Sequence, residues 1–197
     1  AKPRTPAAFD APQIGTFLHF LLERVTRDVL ARGGFAQVDR ETLHALVRQY
    51  IREYVEQELR NFQDRNARFR YLFGRLRNLA CAVVDQAAEE LRHSDFVPLA
   101  FELGFGDGKE LPAVVISEPD AELRIGGKVD RVDGWVKDGK LYLRVVDYKS
   151  GKKAFDLAAV RMGLDIQMLL YLFTLQKEGA AYFGHEIEPA GVLYLPA

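Results

Sequence analysis

The sequence predicts a mixed α/β fold, a central sheet preceded by an N-terminal helical region. Two observations carry that reading. In the first half apolar residues recur at helical spacing, whereas from Val97 to Lys149 the pattern changes to strand-like alternation. A further helix and strand then close the chain, so helices and strands must share one core. With 197 residues, 48% of them hydrophobic and 13 of them Phe, the chain can fill such a core, which excludes intrinsic disorder.

Taken in order, residues 1–12 are rich in Pro and Ala and read as an arm or linker before a domain over 13–197. Within it, 13–95 form a helical part and 96–197 a sheet core with a helix. From about Gln13 to Arg32, Ile14, Phe17, Leu18, Leu21, Val25 and Val29 make one stripe, stopped by Gly33-Gly34. A second helix, about Arg40 to Leu59, carries Leu43, Leu46, Val47, Ile51, Tyr54 and Val55. A third, about Asp64 to Arg92, carries Phe69, Leu72, Phe73, Leu76, Leu79, Ala80 and Val83. Strands are expected over Val97–Phe105, Ala113–Ser117, Ala121–Val136 and Leu141–Lys149. A fourth helix is expected from about Asp156 to Lys177, and a last strand over Ala190–Leu195.

The net charge of −1 gives no global case for nucleic acid, so any basic footprint must be local. One cysteine, Cys81, excludes a disulfide framework and cannot alone make a zinc or iron–sulfur site. Among Leu79, Ala80, Val83 and Val84 it reads as a small buried hydrophobe. No run approaches the ~18 apolar residues of a membrane span, and the start is no signal peptide, so a cytoplasmic protein without membrane contact is expected. Opening on Ala-Lys-Pro and closing on Leu-Pro-Ala, the sequence reads as a fragment of a longer chain.

The most informative stretch is a hairpin from Gly127-Lys128-Val129-Asp130 to Val146-Asp147-Tyr148-Lys149. Asp138-Gly139 between Lys137 and Lys140 is a strong two-residue turn signal. With that loop, Lys137 pairs with Lys140 and Asp130 falls opposite Asp147, with Lys149 on the same face. A three-residue loop would turn one aspartate to the other face. The rest of that face is apolar or small: Val132, Gly134 and Val136 against Leu141, Leu143 and Val145. The reverse face, with Arg131, Asp133, Tyr142, Arg144 and Tyr148, is expected to be wetter. Two adjacent carboxylates at the end of an apolar stripe repel and lose hydration, and a divalent cation would relieve both.

Other candidates stay open on the residues alone. On the first helix Thr16, His19 and Glu23 fall on one side, where Glu23 could orient the His19 ring. His19 is either a surface residue or a metal ligand. Gln167 and Tyr171, four apart, either satisfy each other in the core or face a cleft that holds nucleic acid. Arg60, Arg65, Arg68, Arg70, Arg75 and Arg77 form either a solvated helix face or a phosphate track. Glu102, between Phe101 and Leu103, either faces solvent or lies near the metal.

Taken together, Gly15-Thr16…His19…Glu23, Gly127-Lys128-Val129-Asp130-Arg131-Val132-Asp133, Asp147-Tyr148-Lys149-Ser150-Gly151 and Gln167…Tyr171 resemble the PD-(D/E)xK nucleases of the RecB type. Among these they are most like the nuclease domains of AddB-type subunits of bacterial helicase–nucleases. The resemblance covers about Phe9 to Tyr194. It implies a restriction-endonuclease-like core, a central mixed sheet flanked by helices, and Mg²⁺-dependent hydrolysis of DNA phosphodiesters, with Mn²⁺ as a substitute. It makes His19, Asp130, Asp147 and the Tyr148 carbonyl metal ligands, with Asp130, Asp147 and Lys149 catalytic. It places Gln167 and Tyr171 beside the DNA, with Arg68 and Arg75 as further DNA contacts. It implies an AddA-like helicase partner subunit and strand degradation during double-strand-break repair. The family commonly has an iron–sulfur cluster whose cysteines flank this domain. With Cys81 alone, no cluster is expected in this chain. Two alternatives remain: a nuclease-fold module that binds DNA or braces an assembly without catalysis, and a stand-alone exonuclease, against which the lack of cluster cysteines argues.

Overall fold

The computed structural model describes residues 11–58, 67–149 and 166–196. They fall into two compact units, one built on residues up to His93 together with 196–197, the other spanning Ser94–Leu195. In the helical unit, α1 (Ala11–Ala31) ends where Gly33 and Gly34 take φ of 99° and 98°. A short 3-10 turn (Phe35–Gln37) leads to α2 (Arg40–Glu58) and α3 (Ala67–Arg92). Asp39 starts α2 by accepting the Thr42 amide at 2.8 Å, and the hydrogen bonds from Thr42 hold its carboxyl below the ordinary range. Phe17, Leu18, Leu21 and Val25 of α1, Leu43 and Val47 of α2, and Ala80 and Val84 of α3 are buried. Arg92 closes the unit by donating to the carbonyls of Phe35 (3.1 Å) and Val38 (2.9 Å).

The second unit holds a four-stranded sheet in the order β1 (Val97–Phe105), β4 (Gly127–Lys137), β5 (Lys140–Lys149), β6 (Ile187–Pro196). β2 (Val114–Glu118) and β3 (Ala121–Ile125) make a separate two-stranded sheet. β4 is antiparallel to both β1 and β5. β6 runs parallel to β5: the start of β5 reaches the start of β6 through Lys140 and Glu188, 2.6 Å apart, and the Lys149 ammonium at its end lies over the Tyr194 ring. The sheet is therefore mixed. α4 (Gln167–Glu178) and a four-residue helix, α5 (Ala180–Phe183), connect them, and Tyr171, Leu172 and Leu175 of α4 pack with Leu103, Val132, Leu143 and Val145 of the sheet.

The β4–β5 hairpin has the register expected of its sequence. Asp138 and Gly139 take φ of 51° and 78°, the left-handed pair that a tight hairpin loop needs. Lys137 pairs with Lys140, and the register holds without slip to Arg131 and Val146. β1 behaves otherwise: it slips by one residue against β4 between Pro98 and Ala100. Gly134, opposite Val97, has no side chain to meet the Leu99 that the slip leaves over; a Cβ there would run into Leu99 and Leu141.

Several expectations need correction. The strand expected over 121–136 is broken at Gly126-Gly127, where Gly127 has φ 156°, so its two halves serve different sheets. The face of β4 and β5 expected to be wet is dry: Arg131 and Asp133 are fully buried and Tyr148 nearly so, whereas Val136 on the supposed apolar face is exposed. Cys81 is half-buried, on a groove between α2 and α3 that Arg40, His44, Arg48 and Arg77 also line. The 3-10 turn and α5 have no signal in the sequence pattern, and β6 begins at Ile187, ahead of Ala190. The expected start of the fourth helix at Asp156, and the Phe69/Leu72/Phe73 part of the third helix's stripe, lie outside the described residues and side chains.

Candidate active site

Three neighbouring strands bring carboxylates into one row. The β4–β5 ladder ends at Arg131↔Val146, and its register continued one step sets Asp130 opposite Asp147. On the other side of β4, Phe101↔Arg131 and Leu103↔Val129 place Glu102 opposite Asp130. A carboxylate oxygen of Glu102 lies within 4.8 Å of one of Asp130. Glu102 thus stands beside Asp130. It sits at φ 52°, a left-handed conformation that disfavours residues with a Cβ, and that among the described residues only Asp138 in its turn shares.

Cations bracket the row. Lys149 Nζ lies 2.8 Å from Asp147 Oδ2 and over the Tyr194 ring, with its side chain 42% exposed. The Lys128 ammonium contacts the Glu102 carboxylate. Sequence reading gave Lys128 no role, although it stands within the Gly127-to-Asp130 motif. The donors on the row are carboxylate oxygens, the hard ligands that suit a divalent cation of the Mg²⁺ or Mn²⁺ kind. That chemistry fits the ligands proposed from sequence in this unit, Asp130, Asp147 and the Tyr148 backbone.

The row is held from behind. Asp130 Oδ2 accepts the Tyr148 backbone N–H at 2.7 Å, continuing the hairpin through a side chain. The Tyr148 ring turns to the reverse face, where its hydroxyl accepts from Arg131 Nη1 at 2.9 Å. Arg131 also donates Nε and Nη2 to Asp133, at 2.7 and 3.0 Å, and Arg144 Nε reaches the same carboxylate at 2.9 Å. Arg144 lies over the Phe96 ring at 4.8 Å. Sequence reading missed this group because each member was judged alone. Its signal was opposite charge at alternate positions, 131 and 133 on one strand and 144 on the next.

Burial, with a contribution from nearby Asp133 and against the pull of Arg131, pushes the Tyr148 phenol up to about 12. An unfolded phenol ionises near 10, so the protonated ring's contribution to stability is complete below that pH. It is lost as the pH rises toward about 12, amounting to roughly 2–3 kcal/mol at most. Chemical denaturation at pH 8, 10 and 11 should therefore show an alkaline loss of stability that is smaller in Tyr148→Phe. Equal slopes in the two proteins would contradict the assignment.

Tyr171 is fully buried, stacked on Phe105 with ring centroids 4.4 Å apart. Its hydroxyl accepts from Gln167 Nε2 at 2.7 Å and donates to the Gly126 carbonyl at 3.1 Å. A Cβ on Gly127 would run into that hydroxyl, so the glycine is required by both close approach and backbone conformation. Tyr171, expected beside the DNA, is held in the core with its hydroxyl on the β3–β4 break. Gln167 is exposed.

In the helical unit, His19 is half-buried on α1, and Thr16 is exposed. Glu23, expected to orient His19, accepts Arg27 Nε at 2.9 Å, a helical pair one turn apart. Arg75 and Arg77 are exposed on α3. The side chains of Arg68 and Arg70, with Arg60 and Arg65, lie outside the described residues.

Across residues 1–197 the sequence matches the PD-(D/E)XK nuclease superfamily. The chain belongs to that superfamily. Among curated proteins it is similar to an ATP-dependent helicase/deoxyribonuclease subunit of the AddB type from Acetivibrio thermocellus, 35% identical over 98% of this chain. The corresponding subunits from Anoxybacillus flavithermus and Caldanaerobacter subterraneus subsp. tengcongensis are 34% and 32% identical over 99% and 98% of it. The chain spans 17% of the length of each of these relatives. This PD-(D/E)XK domain therefore has its mixed α/β core and acidic row in a sequence homologous to AddB-type subunits. Among the described residues, no helix is long and apolar enough to cross a membrane.

Proposed function

We propose that this PD-(D/E)XK domain is a Mg²⁺-dependent deoxyribonuclease, also served by Mn²⁺, that degrades DNA strands as the nuclease of a helicase–nuclease. The observation that carries the proposal is the cross-strand acidic row with Lys149 beside it. Asp130 and Asp147 would hold the metal with the Tyr148 carbonyl, and Glu102 adds a carboxylate from β1. His19 is proposed as a further ligand on the strength of the family resemblance. When bound, the metal would lower the pKa of a water and offset charge on the phosphate. Lys149, an exposed ammonium on the same face as Asp147, is placed to orient that water or neutralise charge developing on the phosphoryl oxygens. Gln167, Arg75 and Arg68 would contact the DNA backbone. The relatives' name, a helicase/deoxyribonuclease subunit, supports a helicase partner; an AddA-like identity for it, a place in double-strand-break repair and action in the cytoplasm are proposed on the family resemblance.

The test is calorimetric titration with Mn²⁺ and Mg²⁺, comparing wild type with Asp130→Asn/Asp147→Asn. Binding to wild type that disappears in the double variant is expected. A wild type that takes up no divalent cation at millimolar concentration would remove the metal-dependent reading, leaving a DNA-binding or bracing module.

A further inference from the structure

The buried group behind the acidic row has no counterpart in the chemistry proposed above, yet one of its members belongs to both faces. Tyr148 contributes its backbone N–H to Asp130 and its hydroxyl to Arg131. Asp147 precedes it and Lys149 follows, so the placement of both catalytic side chains follows from where residue 148 is held. β5 ends with this segment, where the regular ladder with β4 has given way to a side-chain bond. A strand end beyond its regular ladder with one neighbour is prone to fray on that side. The guanidinium of Arg131 is itself immobile: two of its nitrogens are fixed on Asp133, which Arg144 holds from the next strand. Its remaining arm, Nη1, points at the Tyr148 oxygen.

We infer that Arg131 is a positioning residue for the metal site, clamping the 147–149 segment through the Tyr148 hydroxyl so that Asp147 stays opposite Asp130. The inference rests on the reading of Asp130 and Asp147 as metal ligands for its consequence, though not for the clamp itself. It assigns a task to the Arg and second Asp of the stretch Asp130-Arg131-Val132-Asp133: the first aspartate faces the reaction, and the following Arg and Asp hold the neighbouring strand from beneath. Lysine could keep the charge at 131 but not three directed N–H bonds in one plane.

Tyr148→Phe removes the hydroxyl and keeps the ring, and Arg131→Lys removes the fork and keeps the charge. Two quantities are read for each. The first is hydrogen exchange of the residue 148 amide, followed by NMR against the Leu143 and Val145 amides within β5. The second is Mn²⁺ affinity by calorimetry. Loss of a global kind would raise exchange at all three amides together. The clamp predicts that exchange at 148 rises about 10-fold beyond the change at 143 and 145, and that Mn²⁺ affinity falls about 10-fold in a protein that remains folded. Exchange at 148 that follows 143 and 145 overturns the clamp. Selective exchange with unchanged Mn²⁺ affinity overturns its role at the metal site. Should wild type bind no Mn²⁺, the nuclease reading falls instead, and the exchange comparison still decides the clamp. Should Arg131→Lys not fold, Tyr148→Phe alone decides both points.

Discussion

Asp147→Asn is expected to abolish DNA cleavage, and Lys149→Ala to lower kcat by about 10²–10³-fold, with little change in KM for DNA in either. The physical grounds differ for the two. In the proposed site Asp147 stands opposite Asp130, and it pairs with the Lys149 ammonium, so its substitution would take away both a hard ligand and the partner that holds the lysine. Lys149 is partly exposed and, in the proposed mechanism, would supply positive charge where the phosphate carries its growing negative charge. Neither substitution should unfold the protein. Asn at 147 relieves the repulsion between facing carboxylates, which offsets the lost ion pair, so a Tm within a few degrees of wild type is expected. Measurement is by gel or fluorescence assay of a labelled duplex and of a labelled single strand, with Mg²⁺ and then Mn²⁺. Cleavage by both variants at the wild-type rate would falsify the catalytic assignment.

The second large effect is on stability. Asp133→Ala should destabilise the fold by about 3–5 kcal/mol, because it leaves the fully buried Arg131 guanidinium, and the partly buried Arg144 beside it, without their shared carboxylate. For a domain of this size that corresponds to a Tm lowered by about 6–20 °C. Asp138→Ala offers a comparison on the hairpin loop, where no buried charge is involved. A thermal melt followed by circular dichroism makes the comparison, and an Asp133→Ala Tm equal to wild type would show the buried group to be energetically idle. Asp133→Asn should lose less, since an amide oxygen can still accept one guanidinium.

How far the sequence disclosed this arrangement depended on whether the information was local. Asp138-Gly139 specifies its turn because few residues adopt two successive left-handed conformations, and the register of β4 against β5 follows from that loop by counting. The helices of the first unit were legible for a similar reason: a 3.6-residue period and a Gly-Gly stop are written in consecutive residues. The dry reverse face was not legible. Alternation along Arg131-Val132-Asp133 reads as one wet and one apolar face, since charged residues are rarely buried unless paired, and the pairing partners lie across the sheet on β5. Glu102 was undecidable because its partner depends on a long-range register, and the break at Gly126-Gly127 because glycine is compatible with an uninterrupted strand. Tyr171 could be a surface or a core residue on its helix until the glycine beneath its hydroxyl was placed.

The slip in β1 has a consequence for chemistry as well as for shape. Val97↔Gly134 and Pro98↔Asp133 define one phase of pairing, and Ala100↔Val132 begins another, displaced by a single residue. Had β1 kept its first phase, Phe101 would stand beside Asp130 in place of Glu102, and a benzyl ring would occupy the ground where the third acid now lies. Leu99 is thus a spacer, an interposed residue whose service is to advance every later residue of its strand by one position. Deleting it would let β1 pair in one phase with Glu102 still opposite Asp130, whereas keeping it without the slip would bring Phe101 there. The bulge at Leu99, one irregularity of backbone pairing, separates the two arrangements.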